Sequence, residues 1–356
     1  MGEHRAAAVG PELARAGESL GLAPAALAPA VSDPAYRVLV GDDDSAVLLR
    51  RQWTADGISE AVLLAAAGIG PDTPAVLDTA VAWGCDRVRD RPGGRGVLAV
   101  PPPDDAQPVT QRFLHLAALA ATRVETAVAL ARGTGTDAVK ADGSPSLAAD
   151  EAAHVAAAEV LGGLGVPVLS EERTDQRVDE ASAWVVLDPL DGTGNFRAGL
   201  PPWAFSAGLV HGGRAVAGVV VDLSSGRRWW TAGAGAWRDG LPVRSRPGST
   251  VVVPTAPAGG AVAVPSSAHR VRVTGCTAVE LCLVADGSAA AWHDLDRSGA
   301  HVHDVAGGLA LLAAGGGIAL DPDGEELRLH PDTEEKIRFV AAESRGTAEE
   351  MLRAFG

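Results

Sequence analysis

The sequence predicts a layered α/β domain over residues 110–356, preceded by a small α+β module over residues 1–104. Three observations carry this reading. Helical and strand-like runs interleave after residue 110. Acidic side chains collect where apolar strand runs end. Between the two parts lies Pro101-Pro102-Pro103-Asp104-Asp105-Ala106-Gln107-Pro108, and proline blocks helix continuation and stiffens a linker.

Before that linker, Tyr36–Val40 and Ala46–Arg51 read as a hairpin around Gly41-Asp42-Asp43-Asp44, polar turn residues between apolar runs. A helix is expected over Ser59–Ala67, ended by Gly68, followed by strand-like runs at Ala75–Val81 and Gly96–Val100. After the linker, Thr110–Arg132 reads as a long amphipathic helix with Leu114, Ala117, Ala118, Ala121 and Val124 on one side. A loop with Gly143-Ser144-Pro145 leads into a second helix, Ser146–Leu161. Two apolar strands follow, Val166–Leu169 and Ala183–Leu187, and then a β-rich stretch from Ala204 to Arg244. The apolar run Val305–Leu320 contains five glycines and reads as a packed helix and turn. The tail alternates again, with a strand near Arg338–Ala342 and a helix at Thr347–Phe355.

Composition narrows the function. In 356 residues, 47% are hydrophobic and 21% charged, which excludes a mainly disordered chain. Acids outnumber bases 45 to 30 for a net charge of −15, the wrong sign for gripping a nucleic-acid backbone. Aromatics at 4% are too few for a base-stacking platform. Cys85, Cys276 and Cys282 are odd in number and lack CxxC spacing, which argues against a disulfide framework or a thiolate zinc site. The N-terminal residues lack the apolar core of a secretory signal, and no uninterrupted apolar run reaches about 18 residues. A cytoplasmic protein with no membrane or nucleic-acid polymer as partner is the expectation.

The acids carry the chemistry. One strand finishes Val168-Leu169-Ser170-Glu171-Glu172. The next reads Trp184-Val185-Val186-Leu187-Asp188-Pro189-Leu190-Asp191-Gly192-Thr193-Gly194-Asn195-Phe196. Pro189 is expected to end regular structure, so that Asp188 closes the strand, Asp191 sits on the turn and Thr193 opens a helix. Carboxylates gathered in this way repel unless cations, protons or basic side chains offset them. Only Arg173 and Arg197 lie near, so a hard divalent cation with oxygen ligands, Mg²⁺ above all, is the natural solution.

Asp188–Phe196 resembles the signature of the Mg²⁺-dependent, lithium-sensitive phosphatases of the inositol monophosphatase superfamily, Asp-Pro-Ile/Leu-Asp-Gly-Thr-x-Asn-Phe. Lys140–Asp150 with Val168–Glu172 is similar to the bacterial 3'(2'),5'-bisphosphate nucleotidases. Gly275-Cys276-Thr277-Ala278, Leu281–Ala285 and Asp304-Val305-Ala306-Gly307 look more like the inositol monophosphatases. The resemblance covers about residues 110–356, in the family's order. It implies an αβαβα sugar-phosphatase sandwich and a phosphomonoesterase acting on a small phosphorylated polyol, sugar or nucleoside. A 3'(2'),5'-bisphosphate nucleotidase is the alternative, and a catalytically silent binding protein that keeps the fold is the alternative of another class.

By position, the resemblance implies two or three Mg²⁺ ions on Glu171, Asp188, the Leu190 carbonyl, Asp191 and Asp304. It gives Asp150 and Thr193 the task of polarising the attacking water, with Glu171 also catalytic. The Gly192 and Thr193 N–H groups would face the phosphate, and Gly275, Thr277 and His301 would line the substrate cleft. Two departures stand out. The family usually carries Trp before its last metal Asp, and this chain has His303; after Asp-Gly-Thr it has Gly194. His301 and His303, at i and i+2 on a strand, would also suit a zinc hydrolase, but no further Asp-His pair follows. Arg297, in Arg297-Ser298-Gly299, resembles the Arg-x-Gly of the bisphosphate nucleotidases and fits a second anionic group on the substrate.

Tyr36–Asp78 faintly resembles the small lobe of aminoglycoside-phosphotransferase-like kinases, but no HxDxxxxN loop follows before residue 110. A docking or dimerisation module, and with it a homodimer, is the expectation for residues 1–104.

Overall fold

The computed structural model describes residues 5–6, 11–22, 27, 35–40, 45–53, 59–92, 94, 96–100, 107–131, 148–172, 178–179, 182–254, 266, 268–295 and 299–355. Contacts divide the chain into two compact units, residues 1–122 with 239–241 and residues 123–238 with 242–356.

In the first unit, β1 (Arg5–Ala6), β2 (Tyr36–Val40), β3 (Ala46–Trp53), β4 (Ser59–Ala67), β5 (Arg87–Arg89) and β6 (Val97–Ala99) form one sheet in that order. Helix α1 is Pro11–Leu20 and α2 is Pro74–Ala82. The hairpin of β2 and β3 is present, with Tyr36 opposite Arg50 and Val40 opposite Ala46; the turn 41–44 lies outside the described residues. Two expectations are reversed. Ser59–Ala67 is a strand, paired antiparallel to β3 and parallel to β5. It is interior to the sheet, so its first five residues are all buried and no polar alternation marks it. Residues 75–81 are helical instead, because Pro74 occupies the first turn, where its missing N–H goes unneeded. Glu60, fully buried on β4, accepts from Arg89 Nε at 2.9 Å and Nη2 at 2.5 Å, tying β4 to β5 side by side.

Helix α3 (Val109–Ala131) runs across the division between the units. By length and composition it is apolar enough to cross a membrane, although Arg112, Arg123 and Glu125 interrupt it; half of its most apolar window is buried in the fold. In the second unit come α4 (Ala148–Leu161), β7 (Val168–Ser170), β8 (Ala183–Asp191), α5 (Thr193–Ala198), β9 (Ala204–His211) and β10 (Arg214–Asp222). Then follow β11 (Arg227–Ala232), β12 (Gly235–Arg238), β13 (Leu241–Val243), β14 (Thr250–Val253), β15 (Arg270–Val273) and α6 (Thr277–Ala285). The chain ends with β16 (Ala291–His293), β17 (Ala300–His301), α7 (Val302–Ala314), β18 (Ile318–Leu320), β19 (Lys336–Ile337), β20 (Val340–Ala342) and α8 (Arg345–Phe355).

Strands β13-β12-β11-β10-β9-β8-β7 make a seven-stranded sheet, and β15-β14-β16-β20-β18 a five-stranded one. Helix α4 packs on β8, α7 on β8 to β12, α6 on α7 and on β16 and β20, and α8 on β18 and β20. The result is the αβαβα layering expected, with the core between the sheets built on Trp184, Trp229, Trp292, Leu281 and Leu311. Small residues set the spacing: a Cβ on Gly218 would lie 2.4 Å from the Gly307 carbonyl oxygen, so α7 rests directly on β10. That contact brings the first turn of α7 to the end of β8, where the acids lie.

Candidate metal centre

Strand β8 does not stop at Leu187. It continues through Asp191, and a register shift against β9 between Asp188 and Asp191 accommodates Pro189 as a bulge. The bulge turns both carboxylates to one end of the sheet. Asp188 is buried and its Oδ1 accepts from the Leu190 N–H at 3.0 Å. Gly192 then takes φ +80°, the left-handed region that glycine enters without strain, and Thr193 opens α5 as expected.

Two groups of ligand atoms result. One atom each of Glu171, Asp188 and His303 lie within 4.8 Å of one another, and so do one each of Asp188, Asp191 and Asp304. Asp188 belongs to both. Glu171 follows directly on β7, which pairs parallel with β8 at Ser170 opposite Leu187. Asp304 is the third residue of α7, and its Oδ2 accepts from the His301 N–H at 2.8 Å. It closes a helix start while its second oxygen remains for other work.

Asp191 is held from two sides. Its Oδ2 accepts from the Ala278 N–H at 2.7 Å and from the Cys276 thiol at 3.1 Å. Burial, helped by the Asp304 charge, nevertheless pushes its pKa up to about 8. A divalent cation among these oxygens reverses that balance, because positive charge favours the ionised form. The donor set, mainly hard carboxylate oxygen, fits Mg²⁺-type ions. The Leu190 carbonyl sits in the same turn, 3.0 Å from Thr193 Oγ1.

Asp150, buried on α4, lies 3.1 Å from Thr193 Oγ1, joining residues 43 apart in sequence. Gly275 and Thr277 stand at the start of α6, beside the residues that hold Asp191. His301 precedes α7 at the end of β17, whereas His303 is already helical, so the two are not on one strand face; their rings stack at 5.0 Å. Arg297, Lys140 and the loop 143–145 lie outside the described residues.

Three supporting residues escape sequence reading. Asn195 Nδ2 donates to the carbonyls of Pro202 at 2.9 Å and Thr274 at 2.7 Å, clamping α5 to the strand before α6. Glu280 Oε1 accepts from the N–H groups of Thr274 and Gly275, and its Oε2 from Trp292 Nε1. Burial pushes its pKa up to about 7. A charged residue inside the apolar run Thr277–Ala285 is the one signal that could have pointed to it. Cys276, whose thiol burial also pushes up, gives Asp191 a donor.

Residues 105–356 match the inositol monophosphatase family. The chain belongs to that family. It is 31% identical over 176 residues to a fructose-1,6-bisphosphatase/inositol-1-monophosphatase of Archaeoglobus fulgidus, covering 47% of this chain and 67% of that one. It is 32% identical over 175 residues to a probable inositol 1-monophosphatase of Mycobacterium tuberculosis (44% and 63%). A histidinol-phosphatase of the same organism is 39% identical over 101 residues (28% and 38%). The chain thus spans from under half to two thirds of these relatives' own length. Among solved structures, a Pyrococcus horikoshii protein described as similar to inositol-1 monophosphatase superposes with a TM-score of 0.58 at 23% identity, over 68% of this chain and 98% of that one. An inositol monophosphatase of Zymomonas mobilis gives 0.55 at 21%, over 70% and 99%. These likenesses show that the αβαβα sandwich of this inositol monophosphatase-family chain is the family's fold.

Proposed function

We propose that the chain is a Mg²⁺-dependent phosphomonoesterase, hydrolysing a small phosphorylated polyol, sugar or nucleoside with an activated water. The observation that carries this reading is the sharing of Asp188 between two ligand groups, one with Glu171 and one with Asp191 and Asp304. Glu171, Asp188, the Leu190 carbonyl, Asp191 and Asp304 would hold two or three ions. Bound there, such ions supply positive charge that makes water more acidic and offsets the charge of the phosphoryl oxygens. The chain's own groups do the rest. Thr193 Oγ1 accepts a hydrogen bond from the water while giving its own proton toward Asp150, which fixes the water's orientation and receives the charge shift. The N–H groups of Gly192 and Thr193 face the phosphate, and Gly275, Thr277 and His301 border the space for the leaving alcohol.

The named relatives, phosphatases for inositol 1-phosphate, fructose 1,6-bisphosphate and histidinol phosphate, support a small ester and differ in the alcohol. We assign the enzyme to the cytoplasm and residues 1–104 to docking or dimerisation. The test is phosphate release across inositol, sugar, nucleoside, amino-alcohol and bisphosphate nucleotide esters, with Mg²⁺, with lithium and with excess chelator. Release that requires Mg²⁺ and falls with lithium is expected. Full activity in chelator overturns the mechanism, and no release from any ester leaves the binding-protein reading standing.

A further inference from the structure

The cluster at the end of β8 is not all oxygen. His303 is buried in the first turn of α7, with one ring nitrogen within 4.8 Å of carboxylate oxygens of both Glu171 and Asp188. The ring is fixed in orientation by stacking on His301, 5.0 Å between centroids and 7° between planes. Its Nε2 lies 3.6 Å from Asp304 Oδ1, too far for a good hydrogen bond. The resemblance to the family leads one to expect Trp here, and an indole has no lone pair to give a cation. An imidazole does.

Ligand atoms that share one transition-metal ion sit about 2.0–2.2 Å from it, so opposite ligands are roughly 4 Å apart. The nitrogen of His303 and the oxygens of Glu171 and Asp188 lie within 4.8 Å of one another, so a small inward shift of the side chains lets one ion touch all three. Mg²⁺ takes oxygen and holds its waters tightly, whereas imidazole favours softer first-row ions. We propose that His303 is a ligand of the ion held by Glu171 and Asp188, and that this mixed set moves the site's preference from Mg²⁺ toward Mn²⁺, Co²⁺ or Zn²⁺. The inference rests on the metal reading given above and deepens it.

The test loads the metal-free full-length chain with Mn²⁺ and reads ¹⁴N modulation in the pulsed EPR signal. Directly bound imidazole nitrogen is expected in the wild type and in His301→Gln, and its loss in His303→Gln. The ratio of Mn²⁺ to Mg²⁺ affinity, measured calorimetrically on the same proteins, should fall roughly tenfold in His303→Gln. Bound Mn²⁺ without nitrogen coupling in the wild type, or coupling that survives His303→Gln, overturns this inference and leaves the carboxylate site intact. Failure of the wild type to bind Mn²⁺ at all overturns the metal reading with it. If His303→Gln does not fold, His301→Gln decides the point: nitrogen coupling retained there supports His303, and its loss overturns the inference.

Discussion

The hydroxyl of Thr193 stands 3.1 Å from Asp150 Oδ1 and 3.0 Å from the Leu190 carbonyl oxygen. It has one proton and therefore donates to one of them at a time, and an ionised carboxylate is the stronger acceptor. If the Leu190 carbonyl is engaged by a cation, the proton goes to Asp150 and the hydroxyl's lone pairs face the water. Asp150→Asn keeps the contact but removes the charge. We expect kcat to fall by about 10²–10⁴ with KM little changed, as for loss of a general base. Steady-state kinetics on whichever ester the screen identifies checks this. A rise in KM with unchanged kcat would make Asp150 a substrate contact instead.

Glu280 sets a dependence of stability on pH. Its folded value of about 7 lies above the ordinary 4.5, chiefly because it is buried. Below pH 4.5 both folded and unfolded chains carry the proton and nothing is lost. Between 4.5 and 7 the unfolded chain alone releases it, so stability falls as pH rises, by on the order of 3 kcal/mol, and levels off above 7. Denaturant unfolding of the metal-free chain should show a shallower fall across this window in Glu280→Gln. Parallel curves for the two proteins would contradict the assignment.

Gly192 links the bulge of β8 to α5. A Cβ there would meet the Pro202 carbonyl oxygen at 3.1 Å and Cys276 Cβ at 3.3 Å, at a φ of +80°. Gly192→Ala should therefore destabilise the chain by about 1–2 kcal/mol and lower kcat by shifting Thr193. Thermal unfolding and kinetics measured together check both halves; an unchanged Tm would mean the turn relaxes freely.

Much of this site was legible in the sequence because its residues are local. Asp188 to Thr193 form one continuous segment, the bulged end of β8 running into α5, and the predicted helix and strand around it are present. Where the reading failed, burial had erased the pattern. Ser59–Ala67 carries four Ala, two Leu and one Glu, good helix formers, yet it lies inside a sheet where its first five residues are buried whichever face they point to. Residues 75–81 are β-branched enough to suggest a strand, and only Pro74 at the first turn signals the helix. Pro189 was read as the end of a strand, which the bulge instead absorbs. The approach of His303 to Glu171 depends on α7 resting on β10, a packing fact with no local signature.

Titration of Mg²⁺ and of Mn²⁺ into the metal-free chain, wild type beside Asp188→Asn, tests the shared carboxylate most directly. Asp188 belongs to both ligand groups, so two or more ions per chain are expected in the wild type and loss of affinity at every site in the variant. Binding of both ions to Asp188→Asn with unaltered affinity, or no binding to the wild type, would contradict it.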